Sequence, residues 1–315
     1  MRIVVVGAGA MGSCMGGILA MSGNEVTLYD VDRDHMSAIT RDGLRLVDGA
    51  EPWATVHLPA CSDPDELGPP AEVVLVMTKS WSTTDALTAA TSVVDHRTWI
   101  VSAQNGLGNA DRMAASGSPA AQIMGGTTTV GATVIEAGVV QISGTVSSGS
   151  SLTQFGLPAG ISPTEQTETL AATFTAAGLT TEILADVNNV IWTKLCMAGT
   201  AGCLTALAQV TIGDLYASPE GMDTWRRMLD EIFAVARAEG VDLDEAEVAE
   251  HALTTYRTVG PHWASMAVDV RERRRTEIDA MCVEISKLGR RHNIATPVND
   301  TVGDMILAVE RSWSD

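Results

Sequence analysis

The sequence is poor in lysine and contains no closely paired cysteines. Only three of its 20 basic residues are lysine, at Lys79, Lys194 and Lys287, and all the others are arginine. The five cysteines form no Cys-x-x-Cys pair, and the six histidines show no spacing typical of a metal site. We therefore expect reduced thiols in a cytoplasmic protein, with neither a disulfide framework nor a bound metal.

Positive charge is scarce as well. The 39 acidic residues give a formal net charge of −19. Such a surface repels phosphate backbones and anionic lipids, which argues against nucleic-acid and membrane-surface binding. The apolar stretch over residues 2–20 is interrupted by glycines and ends in no convincing cleavage site, so it predicts neither an export signal nor a membrane span. We expect the partner to be a small molecule.

The pattern of apolar residues divides the chain into an α/β half and an all-α half. In the first half, short apolar strands alternate with helical stretches, which favours a parallel sheet. The strands are predicted at 2–6, 25–29, 73–77, 99–102 and 180–183, and the helices at 10–22, 33–42, 82–94, 108–115 and 164–177. The composition over 126–157 is typical of antiparallel strands. In the second half, helices are predicted at 187–207, 218–239, 244–258, 262–292 and 298–312. We predict a Rossmann-type domain over 1–185 and an all-helical domain over 186–315.

The first predicted strand leads into the sequence Gly7-Ala8-Gly9-Ala10-Met11-Gly12. This G-x-G-x-x-G pattern, placed between a strand and a helix, is typical of a dinucleotide site. Gly7 permits a tight turn, Gly9 lets the backbone approach a pyrophosphate at the helix N-terminus, and Gly12 allows close helix–strand packing. The alternative is a glycine-rich turn that binds no ligand.

An acidic residue, Asp30, ends the second predicted strand. A carboxylate there accepts hydrogen bonds from the adenosine ribose and repels a 2′-phosphate, which favours NAD(H) over NADP(H). Arg33 lies nearby and partly offsets that preference. The alternative role for Asp30 is to cap the next helix, for which Asp32 competes.

Two of the three lysines lie at informative places. Lys79 directly follows a strand, at the carboxyl edge where α/β proteins bind ligands. Lys194 lies within an apolar helical stretch, NNVIWTKLCMAG. Burial lowers the pKa of a lysine, so its ammonium is able to release a proton, which arginine does not do. We interpret Lys194 as a functional ammonium, the alternative being a side chain that extends along the helix surface into solvent.

Several motifs recur in order along nearly the whole chain. They are GAGAMG at 7–12, TKSW at 78–81, QNGLGN at 104–109, GTTT at 126–129, WTKL at 192–195, LTA at 204–206, RTEID at 275–279 and TPVN at 296–299. Together they resemble the ketopantoate reductase family, the 2-dehydropantoate 2-reductases and related D-2-hydroxy-acid dehydrogenases. The resemblance implies a Rossmann domain that holds a nicotinamide cofactor, an all-α domain that closes the cleft, and a homodimer.

The resemblance also implies a chemistry. Hydride passes from the nicotinamide to the carbonyl carbon of a 2-oxo acid, or back from a D-2-hydroxy acid, and no metal is required. Lys194 corresponds to the catalytic lysine that supplies the proton, and Glu277 to its partner carboxylate, which also reaches the nicotinamide ribose. Without the resemblance, Glu277 would be interpreted as a solvated helix charge beside three arginines.

Further positions follow from the same motifs. Asn105 corresponds to an asparagine near the nicotinamide and the substrate, and Ser265 to a substrate-binding serine. Lys79 and Ala132 match positions that contact the cofactor.

The sequence departs from the family pattern around the substrate. The two asparagines that follow the catalytic lysine, four and eight residues on, are Ala198 and Gly202 here, and an asparagine before a later Gly-x-Leu is Ile212. Fewer polar partners weaken recognition of the ketopantoate hydroxyl, so we expect a bulkier or more apolar substrate. The alternatives are a true 2-dehydropantoate 2-reductase of pantothenate biosynthesis, a reductase of another carbonyl or imine, and an NAD-binding sensor without turnover.

Overall fold

The computed structural model describes residues 1–313, which form two compact units. The first unit comprises Met1–Gln104 and Asn109–Val187, and the second comprises the short segment Asn105–Gly108 and the chain from Asn188 onward. Each unit has its own buried apolar core.

The first unit is built on a parallel sheet whose central strands are almost wholly apolar. Its strands are β1 (Arg2–Val6), β2 (Glu25–Tyr29), β3 (Leu44–Asp48), β4 (Glu51–Val56), β5 (Ala60–Cys61), β6 (Val73–Val76), β7 (Trp99–Ser102), β8 (Ile123–Thr128), β9 (Ala132–Glu136), β10 (Val139–Ile142), β11 (Leu152–Gly156) and β12 (Thr180–Leu184). Eight of them form the main sheet in the order β12-β11-β8-β7-β6-β1-β2-β5, in which β11 runs antiparallel to β8 and the other pairs are parallel. Strands buried on both faces lack an alternation of polar and apolar residues. For this reason continuous apolar runs predicted β1, β6 and β7 from the sequence.

The helices of the first unit connect and cover these strands. They are α1 (Ala10–Met21), α2 (Arg33–Asp42), α3 (Thr83–Ala89), α4 (Asn109–Ala115), α5 (Gly144–Ser147) and α6 (Glu165–Ala176). The helix predicted over 82–94 is shorter than expected, because 3-10 turns at Ser80–Ser82 and Thr91–Val93 flank α3.

A second sheet of four strands, in the order β4-β3-β10-β9, corrects the prediction for 126–157. That stretch does not form one antiparallel group: β8 and β11 join the main sheet, whereas β9 and β10 form a hairpin in the second. The hairpin β3–β4, over residues 44–56, was not predicted at all. Its strands carry exposed polar residues between few buried ones, which leaves a weak apolar signal.

Helix α1 lies between the two sheets, and two adjacent glycines make this possible. A Cβ atom at Gly16 would lie 2.6 Å from Leu28 Cδ2 of the main sheet, and one at Gly17 would lie 2.8 Å from Leu44 Cδ2 of the second sheet. The glycines beyond the nucleotide motif are therefore required by packing on both faces of this helix.

The second unit is all-helical. Its helices are α7 (Asn188–Lys194), α8 (Thr200–Ala208), α9 (Ile212–Ala217), α10 (Pro219–Ala238), α11 (Glu245–Val259), α12 (Ser265–Arg271), α13 (Cys282–His292) and α14 (Pro297–Arg311). The stretch Asn188–Ala208 is long and apolar enough to cross a membrane, but most of it is buried within this unit, as in the core helix of a globular domain.

Two helices predicted in this half as continuous are interrupted. The first, over 187–207, contains a π-turn at Leu195–Gly199 between α7 and α8. The second, over 262–292, is divided into α12 and α13. Between them Arg273 adopts a left-handed conformation with φ of 54°, and the Thr276 N–H donates to Glu310 Oε1 at 2.7 Å instead of to a helical carbonyl. Both interruptions lie beside predicted catalytic residues.

Candidate active site

The glycine motif forms a tight turn between β1 and α1. Gly7 has a φ of +95°, and its N–H donates to the Tyr29 carbonyl at 2.9 Å. A Cβ atom at Gly7 would lie 2.4 Å from Thr78 N, and one at Gly12 would lie 2.1 Å from the Gly7 carbonyl oxygen. Contacts within the chain therefore exclude side chains at both positions.

Gly9 is different, because nothing in the chain requires a glycine there. Its φ of −69° suits any residue, and an added Cβ would meet no atom within 4 Å. Gly9 is also the N-cap of α1, and within residues 1–313 no side chain caps this end. The first-turn amides, at Ala10 and Met11 among others, lack intrahelical acceptors and suit an anion. The open space at Gly9 and these amides fit the pyrophosphate of a nicotinamide dinucleotide.

Asp30 directly follows β2 and does not cap the next helix. Asp32 is the N-cap of α2, since its Oδ1 accepts from the His35 N–H at 3.0 Å. Asp30 Oδ1 accepts instead from the Asp32 N–H at 2.9 Å. Burial raises the pKa of Asp30. The alternative reading of Asp30 as a helix cap is therefore wrong, and its carboxylate remains a candidate ligand for a ribose.

The two remaining cofactor candidates also lie in the first unit. Lys79 is partly buried and follows the carboxyl end of β6. Ala132 begins β9, a strand of the sheet that packs against α1. Contact of either residue with a cofactor stays a prediction.

A buried chain of hydrogen-bonded polar groups lies behind the glycine motif, and it was not predicted from the sequence. Ser13 Oγ donates to the Ala8 carbonyl at 2.6 Å and lies 3.1 Å from His35 Nε2, while the Gly138 N–H donates to His35 Nδ1 at 3.0 Å. Burial lowers the pKa of His35. A neutral imidazole with its proton on Nε2 satisfies all these bonds and holds the Ala8 carbonyl in place. A serine in α1 and a histidine in α2 give no sign of this pairing in sequence.

Lys194 and Glu277 lie close together in the second unit. Lys194 is the last residue of α7, and its burial lowers the pKa of its ammonium to about 8. The carboxylate of Glu277 acts in the opposite direction and raises that pKa. Glu277 is buried, with 8% of its surface exposed, so the interpretation as a solvated helix charge is wrong. A partly buried lysine beside a buried carboxylate is suited to hold and transfer one proton.

Asn105 belongs to the same neighbourhood. The Leu107 N–H donates to the Ala280 carbonyl at 2.7 Å, and a Cβ at Gly106 would lie 2.4 Å from that oxygen. Ala280 closes the 3-10 turn Ile278–Ala280 that Glu277 precedes. The loop that carries Asn105 therefore packs on the turn that carries Glu277.

The other substrate candidates surround α8. Ala198 is exposed within the π-turn, and Gly202 is buried on α8, yet an added Cβ there would meet nothing within 4 Å. Ile212 begins α9, and its N–H donates to the His262 carbonyl at 2.9 Å. Ser265 is exposed at the start of α12, a helix that packs along α8. All seven predicted catalytic and substrate-binding residues thus belong to the second unit.

Comparison with known families assigns the chain. Residues 3–152 match the family model "Ketopantoate reductase PanE/ApbA", and residues 186–310 match "Ketopantoate reductase PanE/ApbA C terminal". The chain is 32% identical over 311 residues to the 2-dehydropantoate 2-reductase of Halobacterium salinarum, with 99% of each chain covered. It belongs to the ketopantoate reductase family. The 2-dehydropantoate 2-reductase of Pyrococcus horikoshii is 31% identical, with 98% of each chain covered.

Solved structures of dehydrogenases and ketopantoate reductases share this fold. D-mandelate dehydrogenase, in a ternary complex with NADH and anilino(oxo)acetate, superimposes with a TM-score of 0.92 at 27% identity over 99% of each chain. A ketopantoate reductase from Ralstonia eutropha gives a TM-score of 0.88 at 29% identity over the full length of both chains. The predicted fold class is confirmed, and the chain is an NAD(P)-dependent oxidoreductase.

Proposed function

We propose that this oxidoreductase reduces a 2-oxo acid with NADH, or oxidises the corresponding D-2-hydroxy acid, and that its substrate is bulkier or more apolar than ketopantoate. The observation that carries this proposal is the partly buried Lys194 beside the buried Glu277, together with the small residues Ala198 and Gly202, four and eight positions after the lysine. The pair supports carbonyl reduction, and the small residues support a wide pocket with few hydrogen-bonding groups.

In this proposal Lys194 provides the proton. A nicotinamide, when bound, would supply the hydride for the carbonyl carbon, and negative charge would then develop on the carbonyl oxygen. The Lys194 ammonium stabilises that charge and donates its proton to the oxygen. With a pKa of about 8, Lys194 is protonated at neutral pH and still acidic enough to release the proton. Glu277 keeps the ammonium charged, and Asn105 and Ser265 hold the substrate by neutral hydrogen bonds.

Gly202 supports the wider pocket. The added Cβ meets nothing within 4 Å although the residue is buried, so the space beside α8 is open in the second unit. Ala198, one turn before it, offers only a methyl group. The neighbouring enzyme named for D-mandelate, an aromatic 2-hydroxy acid, is consistent with such a pocket. Hydrogen-bonding groups in this space would favour ketopantoate instead, because they would pair with its hydroxyl.

The preference for NADH rests on Asp30. Its place after β2 is where a carboxylate accepts hydrogen bonds from the ribose hydroxyls and repels a 2′-phosphate. Val31, exposed beside it, brings no positive charge that would bind such a phosphate.

A true 2-dehydropantoate 2-reductase is the second candidate. It is favoured by the names of the most similar curated relatives, at 29–32% identity over nearly the whole chain. The two candidates share the fold, the hydride transfer and the role of Lys194, and they differ in the side chain that the pocket accepts.

The experiment that separates them compares kcat/KM for NADH oxidation with ketopantoate, phenylglyoxylate and 4-methyl-2-oxopentanoate. We expect kcat/KM for at least one of the latter two substrates to exceed that for ketopantoate by about 10-fold or more. Pocket shape and unpaired polar groups supply discrimination of this size. G202N, which adds an amide in the open space, is expected to lower that ratio, while the surface variant T301A leaves it unchanged. A clear preference of the unaltered enzyme for ketopantoate contradicts the proposal and supports the second candidate.

A further inference from the structure

The residues directly after Lys194 leave the α-helical pattern. Leu195–Gly199 form a π-turn between α7 and α8. A π-turn closes on the fifth residue instead of the fourth, so its carbonyls are displaced from ordinary helical partners. Such turns are rare and are found frequently at functional sites.

Two buried hydroxyl groups bind the carbonyls of this π-turn. Tyr256, on α11, donates its hydroxyl proton to the Met197 carbonyl. Thr200 Oγ1, at the start of α8, donates to the Cys196 carbonyl at 2.6 Å. Successive carbonyls of the turn are thereby each held by a side chain that is at most 2% exposed.

A single indole N–H joins the two hydroxyls. Trp225 Nε1, on α10, lies 3.0 Å from Thr200 Oγ1 and 3.0 Å from Tyr256 Oη, and donates to both oxygens. The Trp225 and Tyr256 rings pack edge to face with centroids 5.7 Å apart. Every polar hydrogen of the three side chains has an acceptor in this network, and Thr200 Oγ1 also lies 3.3 Å from Tyr256 Oη.

We propose that Tyr256, Thr200 and Trp225 are positioning residues for the reaction, because they hold the π-turn that places Lys194 relative to the substrate-facing side of α8. None of the three is assigned to the substrate or the cofactor. The inference rests on the proposed role of Lys194 as general acid.

The π-turn matters because of helical geometry. In a regular α-helix, eight residues exceed two full turns by about 80°, so the side chains at Lys194 and Gly202 would point in different directions. A turn that takes up one extra residue reduces this difference. Lys194, Ala198 and Gly202 then follow one another more nearly along one face. Relaxation of the π-turn to an α-helical turn would rotate Lys194 away from that face.

The scarcity of lysine allows a direct test. Isotope-labelled lysine ε-carbons give signals from only Lys79, Lys194 and Lys287, which single Lys→Arg variants assign. The pKa of Lys194 is then measured by NMR titration without reference to activity. We compare the unaltered protein with Y256F, which loses only the hydroxyl. Y216F is the matched control, because the Tyr216 hydroxyl accepts from Arg257 on the protein surface.

In Y256F we expect the pKa of Lys194 to rise toward the ordinary lysine value of about 10.4, as the turn relaxes and the ammonium becomes more exposed. We expect kcat to fall by about 10-fold or more, since a displacement of about 1 Å costs up to 100-fold. Y216F changes neither quantity. An unchanged Lys194 pKa together with an unchanged kcat in Y256F overturns the positioning role. A changed pKa with an unchanged kcat shows that the π-turn determines the environment of Lys194, and it contradicts the proposed role of Lys194 as general acid, on which the positioning role rests.

A second pair of variants covers the case in which Y256F fails to fold. T200V removes the hydroxyl that binds Cys196, and T200S retains it. We expect T200V to shift the Lys194 pKa and lower kcat, and T200S to restore both. Equal behaviour of T200V and T200S in both measurements contradicts the proposal.

Discussion

The carboxylate of Glu277 raises the pKa of the Lys194 ammonium, whereas burial of that ammonium lowers it, to a net value of about 8. Two opposing effects thus set the proton affinity of one lysine. Burial alone would lower this pKa further, and the carboxylate alone would raise it, so that the ammonium would hold its proton too firmly for transfer. Under the proposed mechanism, the pair supports reduction near neutral pH, and the pH dependence of the enzyme can be predicted from it.

Loss of the Glu277 charge should move the pH profile in a definite direction. Reduction requires protonated Lys194, so kcat/KM should fall as the pH rises through about 8. In E277Q the influence that raises this pKa is removed, so the falling limb should move to lower pH. The measurement is a pH–rate profile of 2-oxo acid reduction for both proteins. E284Q, which removes a carboxylate paired with Lys287 at the surface, is the control and should leave the limb in place. A limb in E277Q that stays fixed or moves to higher pH excludes this explanation.

Asp30 should determine the choice of cofactor. In D30A we expect the Kd for NADH to rise roughly 10-fold, because a hydrogen bond to a charged group contributes about 1.5–3 kcal/mol. Binding of NADPH should improve, since the repulsion of a 2′-phosphate is lost. Fluorescence titration with both cofactors measures this change. D34A removes an exposed carboxylate from α2, the helix that follows Asp30, and should alter neither affinity. An unchanged NADH/NADPH ratio in D30A argues against a ribose contact.

Gly9 should be needed by the cofactor and not by the fold. In G9A the added methyl group points into open space. We therefore expect the free energy of unfolding, measured by thermal denaturation, to change by no more than about 1 kcal/mol, the effect of alanine at an N-cap. The Kd for NADH should nevertheless rise at least 10-fold, because the methyl group occupies the approach of the pyrophosphate. G12A is the contrast, since its Cβ would lie 2.1 Å from a backbone oxygen and should destabilise the first unit. If G9A bound NADH as tightly as the unaltered protein, the pyrophosphate would lie elsewhere.

The main sheet could be predicted from the sequence because its central strands are buried on both faces and therefore almost wholly apolar. The hairpin β3–β4 could not, because residues such as Arg45 and Glu51 interrupt the apolar pattern. The break in the helix predicted over 262–292 also could not be predicted from the sequence. Arginine and glutamate favour helices locally, whereas the break is stabilised in part by a long-range hydrogen bond from the Thr276 N–H to Glu310.

The residues of the candidate site were predicted from the order of motifs along the chain. Their burial, hydrogen bonds and pKa shifts were not predicted. The family resemblance assigned Lys194 and Glu277 to the candidate site. Their burial and the effect of Glu277 on the pKa of Lys194 depend on the packing of α7 and of the turn before α13. The π-turn after Lys194 escaped prediction because its stability comes from Tyr256 and Trp225, which are distant in sequence. The His35–Ser13 contact escaped for the same reason.

The most direct test of the proposed chemistry is the substitution of Lys194 by methionine, which keeps the length of the side chain and removes the ammonium. We measure kcat for 2-oxo acid reduction and, on the same preparation, the Kd for NADH by fluorescence. We expect kcat to fall by about 100-fold to 10,000-fold, the usual contribution of a general acid, with the Kd for NADH unchanged. A kcat close to that of the unaltered enzyme would contradict the role of Lys194 as the proton donor.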